Sequence, residues 1–400
     1  MENTNVPMAK RLIGIGLAIV CLAIGFLVPG SEALSHQGAT ALGILGALVA
    51  LWVTSALPLG ATALLVVVLC PVLGVVDNLG KAIGGFASPA LLFIIAVFSM
   101  PVIMLKTNWG VRLINALIGW TGANSRKLVL GFMCATTLVS TVMSDVPCTV
   151  LFLGFALTIL KAADAKPLQS NLGRCLMIGI PIAAVTGGMA TPAGSSFNVV
   201  AMNILQQATG TSISFLDWVI ICAPIALILL VVCWLSVVFI FKTDRISEET
   251  MLAIEKSGAS VGKLDGFDKK VLAILALMIV AWVASNWTGW DATAIAVAGL
   301  ALFFLPGIDV LTWKEYIASV QWAIVLLIGC VQSIAGGIKE QGAASWLFGA
   351  TVGKMAVSAF AVVAATAVAL PLMRLIIPVG PALIAISLIP LAGMGPAMGV

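Results

Sequence analysis

Long apolar runs separated by short polar joints occupy nearly the whole chain. The runs predict helices over 12–29, 38–57, 59–76 and 87–106, the last followed by a more amphipathic stretch to about Trp120. Two shorter apolar arms follow at 128–143 and 146–160. A fifth helix is expected over 172–205, interrupted between Gly187 and Ser196, and a sixth over 218–241. After a charged loop, 242–270, helices are expected over 271–287, 291–305 and 321–338, then two more arms at 355–373 and 379–393. Stretches such as Leu12–Pro29 are apolar all round rather than alternating, which excludes the lipid-facing strands of a barrel.

Composition gives these runs a solvent. Apolar residues make up 61% of the chain and charged residues 9%, with a mean hydropathy of +1.18, against about 25% charged in a soluble domain. Lipid must therefore face most of the surface, and each crossing backbone must pair within its own helix. Lys10-Arg11 ahead of an apolar run imitate a signal peptide, but the 18 residues Leu12–Pro29 exceed an h-region of about 7–15. The eight cysteines are scattered without a metal or disulfide spacing, and His36 is read as a loop residue. No hydrolase, zinc-protease, phosphate-loop or dinucleotide motif is present, so an enzyme is not expected.

Charge orients the chain. With Lys10 and Arg11 in the cytoplasm and both arm pairs entering and leaving on one side, 16 of the 20 Lys and Arg residues fall inside. Counting the arms as full crossings would move the 242–270 loop outside and spoil this positive-inside bias. The arms are therefore read as re-entrant hairpins, the N-terminus as cytoplasmic and the location as the cell membrane, multi-pass. The net charge of +4 is explained by orientation and asks for no nucleic-acid partner.

A weak internal repeat runs through this pattern. Ala90-Leu91-Leu92-Phe93-Ile94 is echoed by Trp322-Ala323-Ile324-Val325-Leu326, and Gly110 and Gly342 each lie 19 residues after Leu91 and Ala323. The hairpin tips, Ser144 and the region of Ile377, follow at 53 and 54 residues. An odd number of crossings separates the copies, so they are inverted, as in many transporters. The expected division is an N-terminal helix and loop (1–37), a first repeat (38–241, hairpin 128–160), a cytoplasmic loop (242–270) and a second repeat (271–400). Gly194 lies 50 residues after Ser144, and the same distance from Ile377 runs past Val400. The second repeat is thus expected to be incomplete, as in a truncated chain.

Two places carry candidate chemistry. The first tip reads Ser140-Thr141-Val142-Met143-Ser144-Asp145-Val146-Pro147-Cys148-Thr149. A carboxylate inside an apolar hairpin costs about 2.5–3.5 kcal/mol on insertion scales and is a functional candidate by default. The second place is the helix-5 interruption, Gly187-Gly188-Met189-Ala190-Thr191-Pro192-Ala193-Gly194-Ser195-Ser196-Phe197-Asn198. Gly and Pro there free backbone carbonyls for a cation, and Ser195 and Asn198 add further oxygens. The plainer readings are a simple loop at the tip and a close-packing glycine face at the break.

The order of helices, the Ser144-Asp145 tip, the Gly194-Ser195-Ser196-Phe197-Asn198 break and the stretch from Trp52 to Pro58 together resemble the divalent-anion:sodium symporter family, carriers of dicarboxylates, citrate or sulfate. The resemblance implies an all-α inverted-repeat transporter with re-entrant hairpins, a homodimer, and a rocking or elevator-like exposure of the site. It implies a Na+ site at Ser140, Ser144, Asp145 and Gly194, and a substrate anion near Ser144, Asp145, Val146 and Ser195. Asn198, and Arg374 as a partner for the anion or for Asp145, complete the candidate substrate set. The chain departs from the family pattern where Asp145 replaces an asparagine and Val146 a threonine, and where Ile377-Pro378-Val379 replace a Ser-Asn-Thr tip. Met373 replaces a hydroxyl-type Na+ ligand and Arg374 a common glutamate, so the second Na+ site is expected to be lost. The alternatives are a Na+/H+ exchanger using Asp145 and a non-transporting remnant.

Overall fold

The computed structural model describes residues 6–109, 112–113, 116, 124–162, 169–242, 265–343, 346, 359–376, 383–384, 387–388 and 391. The described elements are helical: α1 Met8–Leu27, α2 His36–Thr54, α3 Leu59–Val72, α4 Leu79–Ala82, a 3-10 turn Gly84–Ala87, α5 Pro89–Val97, α6 Ser99–Lys106, α7 Ser125–Ser140 and α8 Asp145–Ala162. There follow α9 Asn171–Gly188, α10 Ser196–Thr209, α11 Phe215–Phe241, α12 Gly266–Thr288, α13 Ala292–Leu302, α14 Trp313–Ser319, α15 Trp322–Glu340 and α16 Ala359–Ile376. Among the described residues, five spans are long and apolar enough to cross a membrane: Met8–Leu27, His36–Thr54, Pro89–Lys106, Phe215–Phe241 and Gly266–Thr288. The bent pair α14–α15 makes a sixth if it is one span. The protein is an all-α polytopic membrane protein.

Exposure follows that solvent. Along α1 only Gly14, Ala18 and Gly25 are buried, while Leu12, Ile13, Ile19 and Ile24 stand outward, and α11 turns Ile220, Leu227, Ile228 and Phe239 outward. These are lipid-facing surfaces, since nothing polar offsets them. The arms α7 and α8 are not among the crossing candidates. At 16 residues, α7 reaches about 24 Å, short of a hydrocarbon core of roughly 30 Å.

The chain divides into two compact units. One holds Met1–Leu92, Val200–Ser212 and Gln321–Val400; the other holds Phe93–Val199 and Ile213–Val320. In the first, α1 and α2 pair antiparallel. Arg11 Nε donates to Ala56 O at one end (3.1 Å) and His36 Nδ1 meets Val28 O at the other (3.1 Å). Helix α15 packs on α3 and on the Gly84–Ala87 turn. In the second unit, Trp282 is fully buried, stacked on Phe215 at 4.8 Å, and donates from Nε1 to Ala292 O. There too, exposed Lys106 pairs with Glu315 at 2.7 Å, and Arg112 lies 4.0 Å from the buried carboxylate of Asp268.

Element starts recur along the chain. Helices α2, α3 and α5 begin at 36, 59 and 89, and α12, α13 and α15 begin at 266, 292 and 322, offsets of 230, 233 and 233. The first unit holds α2, α3 and α15 and the second α12 and α13, while α5 spans the boundary at Leu92.

Several boundaries differ from expectation. The helix expected over 87–106 is two, because Pro101 has no N–H for Val97 O, and Ser319 Oγ donates to Phe98 O at the junction (3.1 Å). The helix expected to run to 76 ends at Val72, next to Pro71 and Gly74, which has φ +73°. His36 is not in a loop: it opens α2, with its ring edge-on to Phe26 at 5.6 Å. Short α14, opened by a Thr312–Glu315 capping box, is an element not expected from the pattern. Most of the 242–270 loop, the Ile377-Pro378-Val379 tip and most of the last arm lie outside the described residues.

Candidate functional site: a hairpin tip against a broken helix

Helix α7 ends at Ser140 and α8 begins at Asp145, so the expected tip is a four-residue turn. Its N–H groups close the end of α7: Thr141 N donates to Leu138 O, and Val142 N and Met143 N to Val139 O. Pro147 falls in the first turn of α8, where no N–H is needed, so it does not break the helix. Buried Met143, Cys148 and Phe152 anchor the turn.

Helix α9 ends at Gly188, and the chain runs irregularly to Ser196, where α10 begins. The cause is local. Pro192 cannot donate to Gly188 O, and Asn198 Nδ2 takes that carbonyl instead, at 2.8 Å, together with Thr191 O at 2.8 Å. Trp218 Nε1 donates to Met189 O at 3.0 Å and holds the break against α11.

Tip and break meet. Ser140, fully buried, donates from Oγ to Ala184 O at 2.6 Å, and Thr137 Oγ1 to Ala183 O at 3.0 Å, which pins α7 to α9. A methyl group at Gly187 would collide with the Thr137 backbone, and one at Gly194 would lie 2.7 Å from Gly188 O and 2.8 Å from Ser140 O. One at Gly188 would reach Gly194 O at 3.3 Å and both Ser140 Oγ and Asp145 Cβ at 3.6 Å. Four expected or neighbouring positions, Ser140, Asp145, Gly188 and Gly194, therefore share one spot.

The other expected residues divide. Ser144 Oγ donates to Asp145 Oδ1 at 3.3 Å. Val146 turns its side chain outward, 66% exposed. Ser195 is half-buried, its carbonyl accepting Asn198 N at 3.1 Å. Asn198 serves the break with its side-chain nitrogen. Arg374 lies in the other compact unit, exposed, in the last turn of α16. Thr191 was missed as a site residue: its Oγ1 donates to Thr141 O and accepts Gly194 N (3.0 Å). The Thr-Pro dipeptide in the break was its only signal. Beside the tip lies a small, partly open cleft walled by Phe93, Ile94, Phe98, Pro192 and Val199, with Ser144 and Ser196 among its lining residues.

The helix ends sort by charge. Helices α7 and α9 bring carbonyl ends, the negative poles of their dipoles, to the junction, while α8 and α10 begin there with positive poles. Such an arrangement suits a cation at the carbonyls and an anion at the N–H groups.

Residues 49–399 match the citrate transporter family, CitMHS. The chain belongs to that family. It is a secondary transporter of anions and not an enzyme. The sodium-dependent dicarboxylate transporter SdcS of Staphylococcus saprophyticus is 27% identical over 370 residues, spanning 86% of this chain and 71% of that protein. The SdcS of Staphylococcus aureus strain USA300 is 26% identical over 363 residues, spanning 85% and 69%. This agrees with the resemblance drawn from the tip and the break.

Proposed function

We propose that this chain is a Na+-coupled symporter of a divalent anion, a dicarboxylate, citrate or sulfate, in the cell membrane with its N-terminus in the cytoplasm. The observation that carries the reading is the junction of Ser140, Asp145, Gly188 and Gly194, where two helices end in carbonyls beside a carboxylate. Sodium dependence in the names of the relatives supports it. Na+ binds at the junction, with oxygens from Asp145, Ser144 and the backbone at Ser140 and Gly194. The anion binds beside it, at Ser144, Ser195 and the starts of α8 and α10. Asp145 repels that anion until Na+ or H+ neutralises it, which couples the two. We read the chain as two repeats, which the offset of element starts supports, and take them to be inverted, with 128–160 as a re-entrant hairpin, from the distribution of positive charge.

Uptake of labelled succinate, citrate and sulfate into proteoliposomes, with and without an inward Na+ gradient, tests this. Accumulation of at least one anion only with the gradient is expected. If none moves and Na+ exchanges for H+ instead, the symporter reading is wrong and Asp145 is the carrier of an exchanger.

A further inference from the structure

We infer that Thr191 is a positioning residue that sets Na+ affinity by clamping the hairpin tip onto the helix break. The inference rests on the Na+ site proposed above. One hydroxyl serves both halves of the junction. Thr191 Oγ1 donates to Thr141 O, the first carbonyl of the tip, and accepts Gly194 N at 3.0 Å. Its own carbonyl accepts both Gly194 N at 3.2 Å and Asn198 Nδ2 at 2.8 Å. Thr191 is thus fixed within the break and reaches out of it by its side chain alone. The tip is otherwise joined to α9 one turn below, through Ser140 Oγ and Ala184 O. Thr191 is the contact that holds the turn itself, between the carbonyl end at Ser140 and the carboxylate of Asp145. Without it the tip carbonyl and Gly194 N each lose a partner in a partly buried place, and the oxygens on either side are free to separate. Thr191 touches neither ion nor anion in this account; it acts through the spacing of the groups that do.

The test compares Thr191→Val, which keeps the shape and removes the hydroxyl, with Thr191→Ser, which keeps the hydroxyl. Binding of labelled Na+ to the purified chain is measured by scintillation proximity, with Li+ as competitor. Melting temperature is measured with and without Na+. Thr191→Val is expected to raise half-saturation for Na+ roughly three- to tenfold, the worth of one neutral hydrogen bond, and to weaken discrimination against Li+. Thr191→Ser is expected to bind near wild-type strength. If Thr191→Val does not fold, Thr191→Cys, close in size with a weak donor, replaces it. A melting temperature lowered equally with and without Na+, at unchanged half-saturation, overturns the inference. Asp145→Ala keeps the two levels apart. If it abolishes Na+ binding while Thr191→Val leaves it intact, only the clamp is wrong. If neither variant changes Na+ binding, the Na+ site itself is wrong and the clamp falls with it.

Discussion

Two pairs of glycines do opposite work in this protein. In the first compact unit, Gly25 of α1 faces Gly43 of α2, and a methyl group on Gly25 would lie 2.6 Å from the partner's Cα and 2.8 Å from Ala39 O. Gly25 lies in the last turn of α1 and Gly43 inside α2, both within helical backbone, so the pair only lets two apolar surfaces approach, as small residues do between membrane helices. In the second unit, a methyl group on Gly194 would lie 2.9 Å from the Gly188 Cα, but α9 stops at Gly188 and α10 starts just after Gly194. The neighbours make the difference. Around Gly43 the sequence is Ala, Leu and Ile, which keep every backbone bond in the helix. Around Gly194 stand Thr191, Pro192 and Asn198, which remove one backbone bond and supply side-chain replacements. Glycine permits close approach in both places; proline and polar side chains convert it into exposed oxygens.

Substituting the glycines gives the sharpest contrast. Gly194→Ala places a methyl against Gly188 O and Ser140 O, both backbone. Overpacking of about 1–3 kcal/mol is expected to fall on the site itself, raising half-saturation for Na+ by up to about a hundredfold in uptake assays. Gly43→Ala meets Cys21 O and Gly25 at 2.8 Å. It is expected to lower the melting temperature while the folded fraction keeps its Na+ dependence. Equal loss of Na+ affinity in both variants would erase the distinction.

Asp145→Asn comes next. The symporter account expects Na+ binding to weaken roughly tenfold, as when a charge-assisted contact is lost, while the anion binds more tightly because a repelling charge is gone. Complete loss of transport would favour proton exchange through Asp145 instead. Asn198→Ala leaves Gly188 O and Thr191 O without their side-chain donor. A cost of about 1–3 kcal/mol is expected in thermal unfolding, with a parallel fall in uptake. The smallest effect is expected away from both glycine pairs: Glu315→Gln removes the exposed pair with Lys106, worth about 0–1 kcal/mol, and uptake should be unchanged.

Legibility in the sequence follows the same physics. The spans show as long apolar runs because lipid forbids anything else, and the break at 187–196 shows because Gly, Pro and hydroxyl residues are out of place in such a run. That Ser140 and Gly194 share one spot is not readable from either segment. It depends on α7 lying along α9, which is fixed by Thr137, Ser140 and Gly187, residues whose partners lie some fifty positions away. The junction after Val97 was hidden because Pro101 sits inside a run whose apolar character never falters. The nitrogen role of Asn198 was hidden because an amide offers a donor and an acceptor at once, and the donor finds its use only at the Gly188 carbonyl that Pro192 leaves free.

The central claim is that the tip and the break together make one Na+ site. The direct measurement is a Na+ titration of the purified chain, followed by binding of labelled Na+, for wild type and Gly194→Ala side by side. The account predicts saturable binding to the wild type that K+ does not displace, and a large loss of affinity in the variant. Identical binding curves for the two proteins would contradict it.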